Sequence, residues 1–210
     1  MVGEGAMHQC LQNEHVATVL LITRKPYGLK HPKLKEVIHQ DFYDLSSIES
    51  KLKGYNACFF CLGISSVGIS KEEYFKITYT LTLHMGETLS RLNPDMVFTY
   101  VSGMGTDSKE KGNGWASVKG KTENDLKKLP FKKVHAYRPG FIKPISGLKN
   151  AKSFYKYINW MFPIGKSLAP NGFNSLEEVG DSMIYVSLNN YEPFILNGKE
   201  ISANAKGLKA

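Results

Sequence analysis

The chain has 210 residues, 42% of them hydrophobic, which suits one compact domain spanning 1–210 and leaves too little for two large ones. Its formal charge of +8 favours anionic partners, but only Arg24, Arg91 and Arg138 are arginines; lysines spread along the chain solvate a surface more than they read bases, so a nucleic-acid partner is not expected. Three cysteines, Cys10, Cys58 and Cys61, are too few for a disulfide framework and point to a reducing, cytoplasmic setting, and no apolar run reaches the roughly 18 residues of a membrane-spanning helix.

The chain opens "MVGEGAMHQCLQNEH", in which Gly3 and Gly5 are expected to stand just ahead of a helix. "VATVLLI", from Val16, is a β-branched run expected to form a buried parallel strand, with the polar "TRKPYG" as its following loop. A weaker strand, "LKEVIH", leads to Asp41. "DLSSIESKLKG" reads as a helix starting at Asp44 and stopping at Gly54, followed by the apolar strand "ACFFCLG". In that strand Cys58 and Cys61 should point to opposite faces, so core packing is expected in place of a redox or metal pair. A helix from about Lys71 to Leu92, a strand "MVFTYVSG", a helix at the head of "GWASVKGKTENDLKKL" and a strand "KVHAYRPG" follow in turn.

From Phe141 the pattern changes, and 141–175 reads as a small substrate-side cap. Its greasiest stretch, "FYKYINWMFPI" at 154–164, suits a lid over a pocket or a patch resting on a membrane surface. A helix is expected near Asn174, where Asn174 or Ser175 followed by Glu177 or Glu178 gives a capping-box start. A last strand is expected around "FILNGKEIS".

Strands alternating with helices imply an α/β fold: a doubly wound, mostly parallel sheet with helices on both faces. Ligands of such sheets bind outside the carboxyl ends of the strands. The residues there are Arg24, Lys25, Asp41, Gly63, Ser102 and the run Arg138, Pro139, Gly140. The six histidines show no metal-ligand spacing, so a metal is not expected.

Gly3 and Gly5 resemble the end of a glycine-rich dinucleotide loop, in which a helix N-terminus offers free N–H groups to a pyrophosphate. About twenty residues on, where an acid would hold a ribose 2′-hydroxyl, stand Arg24 and Lys25. Two cations there suit a 2′-phosphate, so NADP(H) is expected over NAD(H). With "DFYDL", "FFCLG", "VSGMGTDS", "WASVKGKTE" and "YRPGF" in order, the chain resembles the atypical short-chain dehydrogenases/reductases of the epimerase/dehydratase superfamily, the small Tat-interacting oxidoreductase kind above all. The resemblance covers nearly the whole chain. It implies Gly3 as the last glycine of the loop, Asp41 near the adenine, Gly63 lining the cofactor cleft and Ser102 orienting a substrate carbonyl. It also implies Lys119 on the nicotinamide ribose, with Pro139 and Gly140 beside the nicotinamide.

The family's helix carries Tyr-x-x-x-Lys, because residues four apart share a helix face and the lysine lowers the tyrosine's pKa while the phenol exchanges a proton with substrate. Here Trp115 stands four residues before Lys119. An indole N–H donates a hydrogen bond but does not act as an acid or base near neutral pH. Three readings remain open: an oxidoreductase acting on a small carbonyl compound with its usual acid replaced, a cofactor-binding sensor or scaffold without turnover, and a plain packing stripe of Trp115, Val118, Leu126 and Leu129. A sugar-nucleotide epimerase shares the cleft but usually needs the tyrosine and a larger substrate domain. The resemblance carries one more expectation. The family's loop follows a first strand placed centrally, between "VATVLLI" and "ACFFCLG", so Met1 is expected to be internal to a longer protein, or this form to be unstable and a poor binder.

Overall fold

A computed structural model of the chain describes residues 1–112, 114–145 and 162–210. Helix α1 (Val2–Gln12) is followed by β1 (Val19–Thr23) and β2 (Leu34–Ile38), which pair in parallel from Val19↔Leu34 to Thr23↔Ile38. Strands β3 (Ala57–Phe60), β4 (Val97–Val101), β5 (Lys133–Tyr137) and β8 (Ile195–Leu196) form a second sheet, in the order β3-β4-β5-β8 and parallel throughout. The parallel α/β architecture expected from the alternation is therefore present, with its sheet in two separately bonded pieces.

The two faces are covered as a doubly wound sheet requires. On one side Leu45, Ile48 and Leu52, with Leu81, Met85 and Leu89 of α3 (Leu81–Leu92) and Leu126 of α4 (Trp115–Leu126), pack on Phe60, Phe98 and Tyr100. On the other, Ala6 of α1, Val179, Met183 and Val186 of α6 (Leu176–Leu188) and Ile201 of α7 (Gly198–Gly207) pack on Tyr137 and Leu196. Cys58 packs into the first cluster and Cys61 into the second, so the two thiols do face opposite ways.

Several expectations need correction. Gly3 and Gly5 lie inside α1 and not ahead of it. A Cβ on Gly5 would overlap the Leu176 side chain, so this glycine lets α1 settle on α6. The segment after Asp44 is a 3₁₀ turn over Ser46–Lys51, its entry held by the Asp44 carboxylate accepting the Ser46 N–H at 3.0 Å. The long helix at 71–92 contains a π turn at Lys76–Thr80 between α2 (Lys71–Phe75) and α3. The capping box resolves to Ser175 and Glu178, with bonds of 2.8 and 3.2 Å. "FILNGKEIS" is strand only at Ile195–Leu196; the Glu200 carboxylate reaches back to the Asn197 N–H at 2.9 Å and starts α7 instead.

In the cap region, β6 (Phe141–Lys143) and β7 (Phe173–Ser175) pair in parallel, and α5 (Phe162–Leu168) packs Phe162 between Phe141 and Phe173. The rest of the 154–164 stretch expected to cap or to touch a membrane, 154–161, lies outside the described residues. No helix among the described residues is long and apolar enough to cross a membrane.

Candidate functional site

Parallel strands bring all their carboxyl ends to one edge, and the expected site residues sit along it in two groups. The first group follows β4. Residues 102–106 turn tightly away from the strand: the Ser102 N–H donates to the Tyr137 carbonyl at 2.8 Å, and the Met104 N–H to the Pro139 carbonyl at 3.0 Å. Ser102 is buried, and its Oγ lies 2.9 Å from Thr106 Oγ1. Because the Thr106 hydroxyl donates to the Gly103 carbonyl at 2.8 Å, the proton shared between the two side chains comes from Ser102. Its hydroxyl thus latches the turn and keeps free lone pairs, a constraint that spacing alone did not reveal.

Helix α4 supplies the other two members. Trp115 is its first residue, 40% exposed, with its indole edge against Gly105, where an added Cβ would stand 3.5 Å from Trp115 Cη2. One turn on, Lys119 Nζ donates to the Val101 carbonyl at 3.3 Å and lies 5.4 Å from the centre of the Tyr100 ring. Burial pushes the Lys119 pKa down to about 8, against the upward pull of Glu123. The turn and the helix are locked together at Gly120, where a Cβ would overlap the Asp107 carbonyl oxygen, and by the Asp107 N–H donating to the Ala116 carbonyl at 3.1 Å. Ser102, Trp115 and Lys119 therefore share one turn-and-helix unit, as the W-x-x-x-K spacing implied. The packing stripe runs along the same helix and past its end to Leu129: Leu126 is fully buried while Trp115 is exposed.

Sequence reasoning missed the buried ion pair behind this unit. Glu123, fully buried, accepts from Arg138 Nε at 3.0 Å and again from its Nη2, which also donates to Ser108 Oγ. Lys119 and Glu123 are spaced four apart on a helix, a pattern that could have flagged the acid. Arg138 is thereby turned onto α4. Beside it Pro139 is buried, and Gly140 is needed for packing, since a Cβ there would overlap the Gly172 carbonyl.

The second group follows β1, β2 and β3. Arg24 and Lys25 are exposed, and neither has a carboxylate partner among the described residues. Their loop is held from behind: Gln40 Nε2 donates to the Arg24 carbonyl at 2.6 Å and Thr23 Oγ1 to the Lys25 carbonyl at 2.8 Å. A further tie was not foreseen, in which the Tyr27 hydroxyl donates to the Glu4 carboxylate at 2.8 Å and joins this loop to α1. Asp41 is exposed and accepts the Tyr43 N–H at 2.9 Å, a turn-closing role. Gly63 is exposed in the loop after β3 with nothing within 4 Å of an added Cβ. Gly3 packs closely on Cys61, an added Cβ standing 3.2 Å from that residue's Cβ.

A cleft of about 910 Å³ opens between β1 and β3, and Gly3 and Arg24 line it. Lys25, Asp41, Gly63, Ser102, Lys119 and Gly140 lie outside its walls. No group of three or more His, Cys, Asp or Glu among the described residues is gathered as a metal would need.

The residues present fit a dinucleotide in part. The first turn of α1 carries a closely packed glycine at a helix N-terminus, and two exposed cations without a carboxylate partner among the described residues stand after the next strand.

No family model matches the sequence. Solved structures do. A UDP-N-acetylglucosamine 4-epimerase from Methanobrevibacter ruminantium, in complex with UDP-N-acetylmuramic acid, is 14% identical with a TM-score of 0.64, over 97% of this chain and 77% of that one. A UDP-glucose 4-epimerase from Thermotoga maritima, with UDP-glucose, is 13% identical with a TM-score of 0.65, over 100% of this chain and 78% of that one. MoeE5, in complex with UDP-glucuronic acid and NAD, is 12% identical with a TM-score of 0.62, over 96% and 78%. At such identities the likeness establishes the architecture alone: the chain has the Rossmann-like α/β fold of these epimerases.

Proposed function

We propose that the chain binds NADP(H) along the carboxyl edge of its sheet and acts as an atypical short-chain dehydrogenase/reductase on a small carbonyl compound. The observation that carries this reading is the pair of exposed cations after β1, Arg24 and Lys25, with no carboxylate partner among the described residues. In this reading Gly3 and the first turn of α1 face the pyrophosphate, Arg24 and Lys25 the 2′-phosphate, and Asp41 the adenine. Gly63 lines the cleft, Lys119 meets the nicotinamide ribose, and Pro139 and Gly140 flank the nicotinamide. The bound cofactor supplies or accepts the hydride. The fold neighbours support a nicotinamide cofactor, since one of them holds NAD. The working unit is the single domain 1–210 with 141–175 as its substrate-side cap, and the free cysteines suit the cytoplasm.

The chain's own residues divide the remaining work. Ser102 Oγ offers lone pairs while its proton is held by Thr106, and the Trp115 N–H, one turn before Lys119, donates a hydrogen bond toward a carbonyl oxygen. Lys119 Nζ, with its pKa near 8, is the group of this unit that holds or releases a proton close to neutral pH. Trp115 favours a second reading, a cofactor-binding sensor or scaffold that does not turn over, because an indole is no proton donor of the usual kind.

The test is cofactor selectivity. Hydrogen bonds to a charged group contribute about 1.5–3 kcal/mol, more than the roughly 1.4 kcal/mol of a tenfold preference, so NADPH should bind at least about tenfold more tightly than NADH. Arg24→Ala should abolish the difference. Equal dissociation constants in the parent chain would overturn the assignment.

A further inference from the structure

The exposed cations Arg24 and Lys25 ride on a loop whose backbone is bonded from behind. Gln40 Nε2 donates to the Arg24 carbonyl at 2.6 Å and Thr23 Oγ1 to the Lys25 carbonyl at 2.8 Å, while the Tyr27 N–H donates to the Glu36 carboxylate of β2 at 2.7 Å. These bonds tie the loop to the strand pair that carries it. One side chain of the loop reaches elsewhere. The half-buried Tyr27 extends to α1, where its hydroxyl donates to Glu4 Oε1 at 2.8 Å and meets His8 Nε2 at 3.1 Å.

Glu4 and His8 stand four apart and so share one face of the helix, with the phenol between them. The His8 and Tyr27 rings meet edge to face, their centroids 6.3 Å apart. A phenol has a single proton, and Glu4 receives it, so the His8 ring carries a proton on Nε2 and donates it to the Tyr27 oxygen. The hydrogen bonds thus run one way, from His8 through Tyr27 to the buried Glu4. Burial, and then the Glu4 carboxylate, push the Tyr27 pKa up to about 12, so the phenol remains a donor across the neutral range.

What this bridge fixes is a separation. In the NADP(H) reading, on which the inference rests, the first turn of α1 meets the pyrophosphate and Arg24 with Lys25 meets the 2′-phosphate. Both groups of such a cofactor hang on one ribose, so the distance between their two protein sites decides whether they are engaged together. A loop free to swing would have to be ordered at each binding event, at a cost in affinity.

We propose that Tyr27, held between His8 and Glu4, is a positioning residue for cofactor choice: it sets the Arg24–Lys25 loop at the distance from α1 at which one ligand's pyrophosphate and 2′-phosphate are held together. Arg24 and Lys25 supply the charge, and the bridge supplies its placement. A ligand that carries only one of the two phosphate groups does not depend on the bridge.

The test is the binding of NADPH, NADH and adenosine 2′-monophosphate, by calorimetry, to the parent chain, Tyr27→Phe, His8→Leu and His8→Gln. Tyr27→Phe keeps the ring and removes the hydroxyl, so the NADPH-over-NADH preference should fall at least about threefold, while NADH and adenosine 2′-monophosphate each stay within about twofold of the parent. His8→Leu should act in the same direction, and His8→Gln, whose amide still donates to the phenol oxygen, should keep most of the preference. Nitrogen NMR of the parent's His8 ring should show a proton on Nε2. An unchanged preference in Tyr27→Phe, an equal loss for all three ligands, or a His8 ring protonated on Nδ1 alone would each overturn the proposal. A parent chain without NADPH preference would overturn the cofactor reading together with it. The two failures are told apart by Arg24→Ala, which then changes nothing, whereas a failure of the bridge alone leaves Arg24→Ala effective.

Discussion

The pair Glu123–Arg138 is the place where one atom's change should be felt across the site. Glu123 is fully buried and Arg138 has 13% of its side chain exposed, and the two meet as a fork, Nε to Oε1 at 3.0 Å and Nη2 to Oε2. Glu123→Gln keeps the shape and removes the charge, leaving a mostly buried guanidinium without its counter-ion. Breaking one side of such a pair costs about 3–5 kcal/mol, a large part of the roughly 5–15 kcal/mol that holds a domain folded. At about 2–4 °C per kcal/mol for a domain of this size, thermal melting should fall by roughly 6–20 °C. Arg138→Met should cost a similar amount, while the double variant with Leu at 123 and Met at 138 should recover much of the loss, because no orphan charge remains. A double-mutant cycle by circular-dichroism melts reads this as strong coupling. Glu123 also holds the Lys119 pKa up, so Glu123→Gln should lower it further from about 8. Single variants within about 1 kcal/mol of the parent, or a double variant whose loss is the sum of the two, would show that the fork is not the strut described here.

Other outcomes follow from the same geometry. Trp115→Tyr should raise carbonyl reduction with NADPH, toward the roughly 10²–10⁴-fold that general acid catalysis supplies; a brisk parent enzyme slowed by this change would mean that another group delivers the proton. Lys119 has a folded-state pKa near 8 against an ordinary 10.5, so between those values the unfolded chain holds more protons and stability rises with pH, while below pH 8 the buried ammonium exerts its full cost. Lys119→Met should therefore raise the melting temperature most below pH 8, with the gain fading toward pH 10.5, and a pH-independent gain would assign it to packing alone. Gly120→Ala, normally favourable in a helix by about 1 kcal/mol, should destabilise here because its Cβ would strike the Asp107 carbonyl; an unchanged or higher melting temperature would show that the turn yields freely.

What could be read from the sequence tracks how local each cause is. The W-x-x-x-K spacing placed Trp115 and Lys119 on one helix beside Ser102 because both periodicities, of the helix and of the strand before it, act over a few residues. The opposite facing of Cys58 and Cys61 was legible for the same reason. The start of α7 was equally local and was missed: Asn197 and Glu200 repeat the capping pattern of Ser175 and Glu178, but the apolar "FIL" ahead of them drew the strand reading onward. Arg138 turning onto Glu123 was not legible, since the two are fifteen residues apart and meet only once β5 lies beside α4. The Ser102–Thr106 latch depends on how one turn closes, which composition does not specify.

The burial of β1 shows where local reasoning reaches its limit and why the site's two groups must be judged separately. "VATVLLI" has the composition of a fully enclosed strand, yet every residue of β1 is only half-buried, whereas Val97, Phe98, Thr99 and Tyr100 of β4, paired on both sides, are buried. The difference is not in the side chains; it is in the open edge that β1 presents to the cleft. Ser102, Trp115, Lys119, Pro139 and Gly140 all belong to the sheet piece built on β3, β4 and β5, while Arg24, Lys25 and Asp41 ride on the piece built on β1 and β2. Backbone hydrogen bonds fix positions within each piece, while across the cleft the pieces are held by α1, through Gly3 on Cys61 and Glu4 on Tyr27, and by the side-chain packing of Leu20, Ile22 and Val37 into the cluster around Phe60 and Phe98. A ligand that needs both groups therefore depends on how firmly the two pieces are packed together in a way that a ligand of either group alone does not. Loss of cofactor selectivity in Arg24→Ala and loss of overall cofactor affinity in Val37→Ala, which loosens the packing of the β1-β2 piece, are accordingly independent readouts: the first reports on the cations themselves, the second on how firmly they are held opposite Lys119.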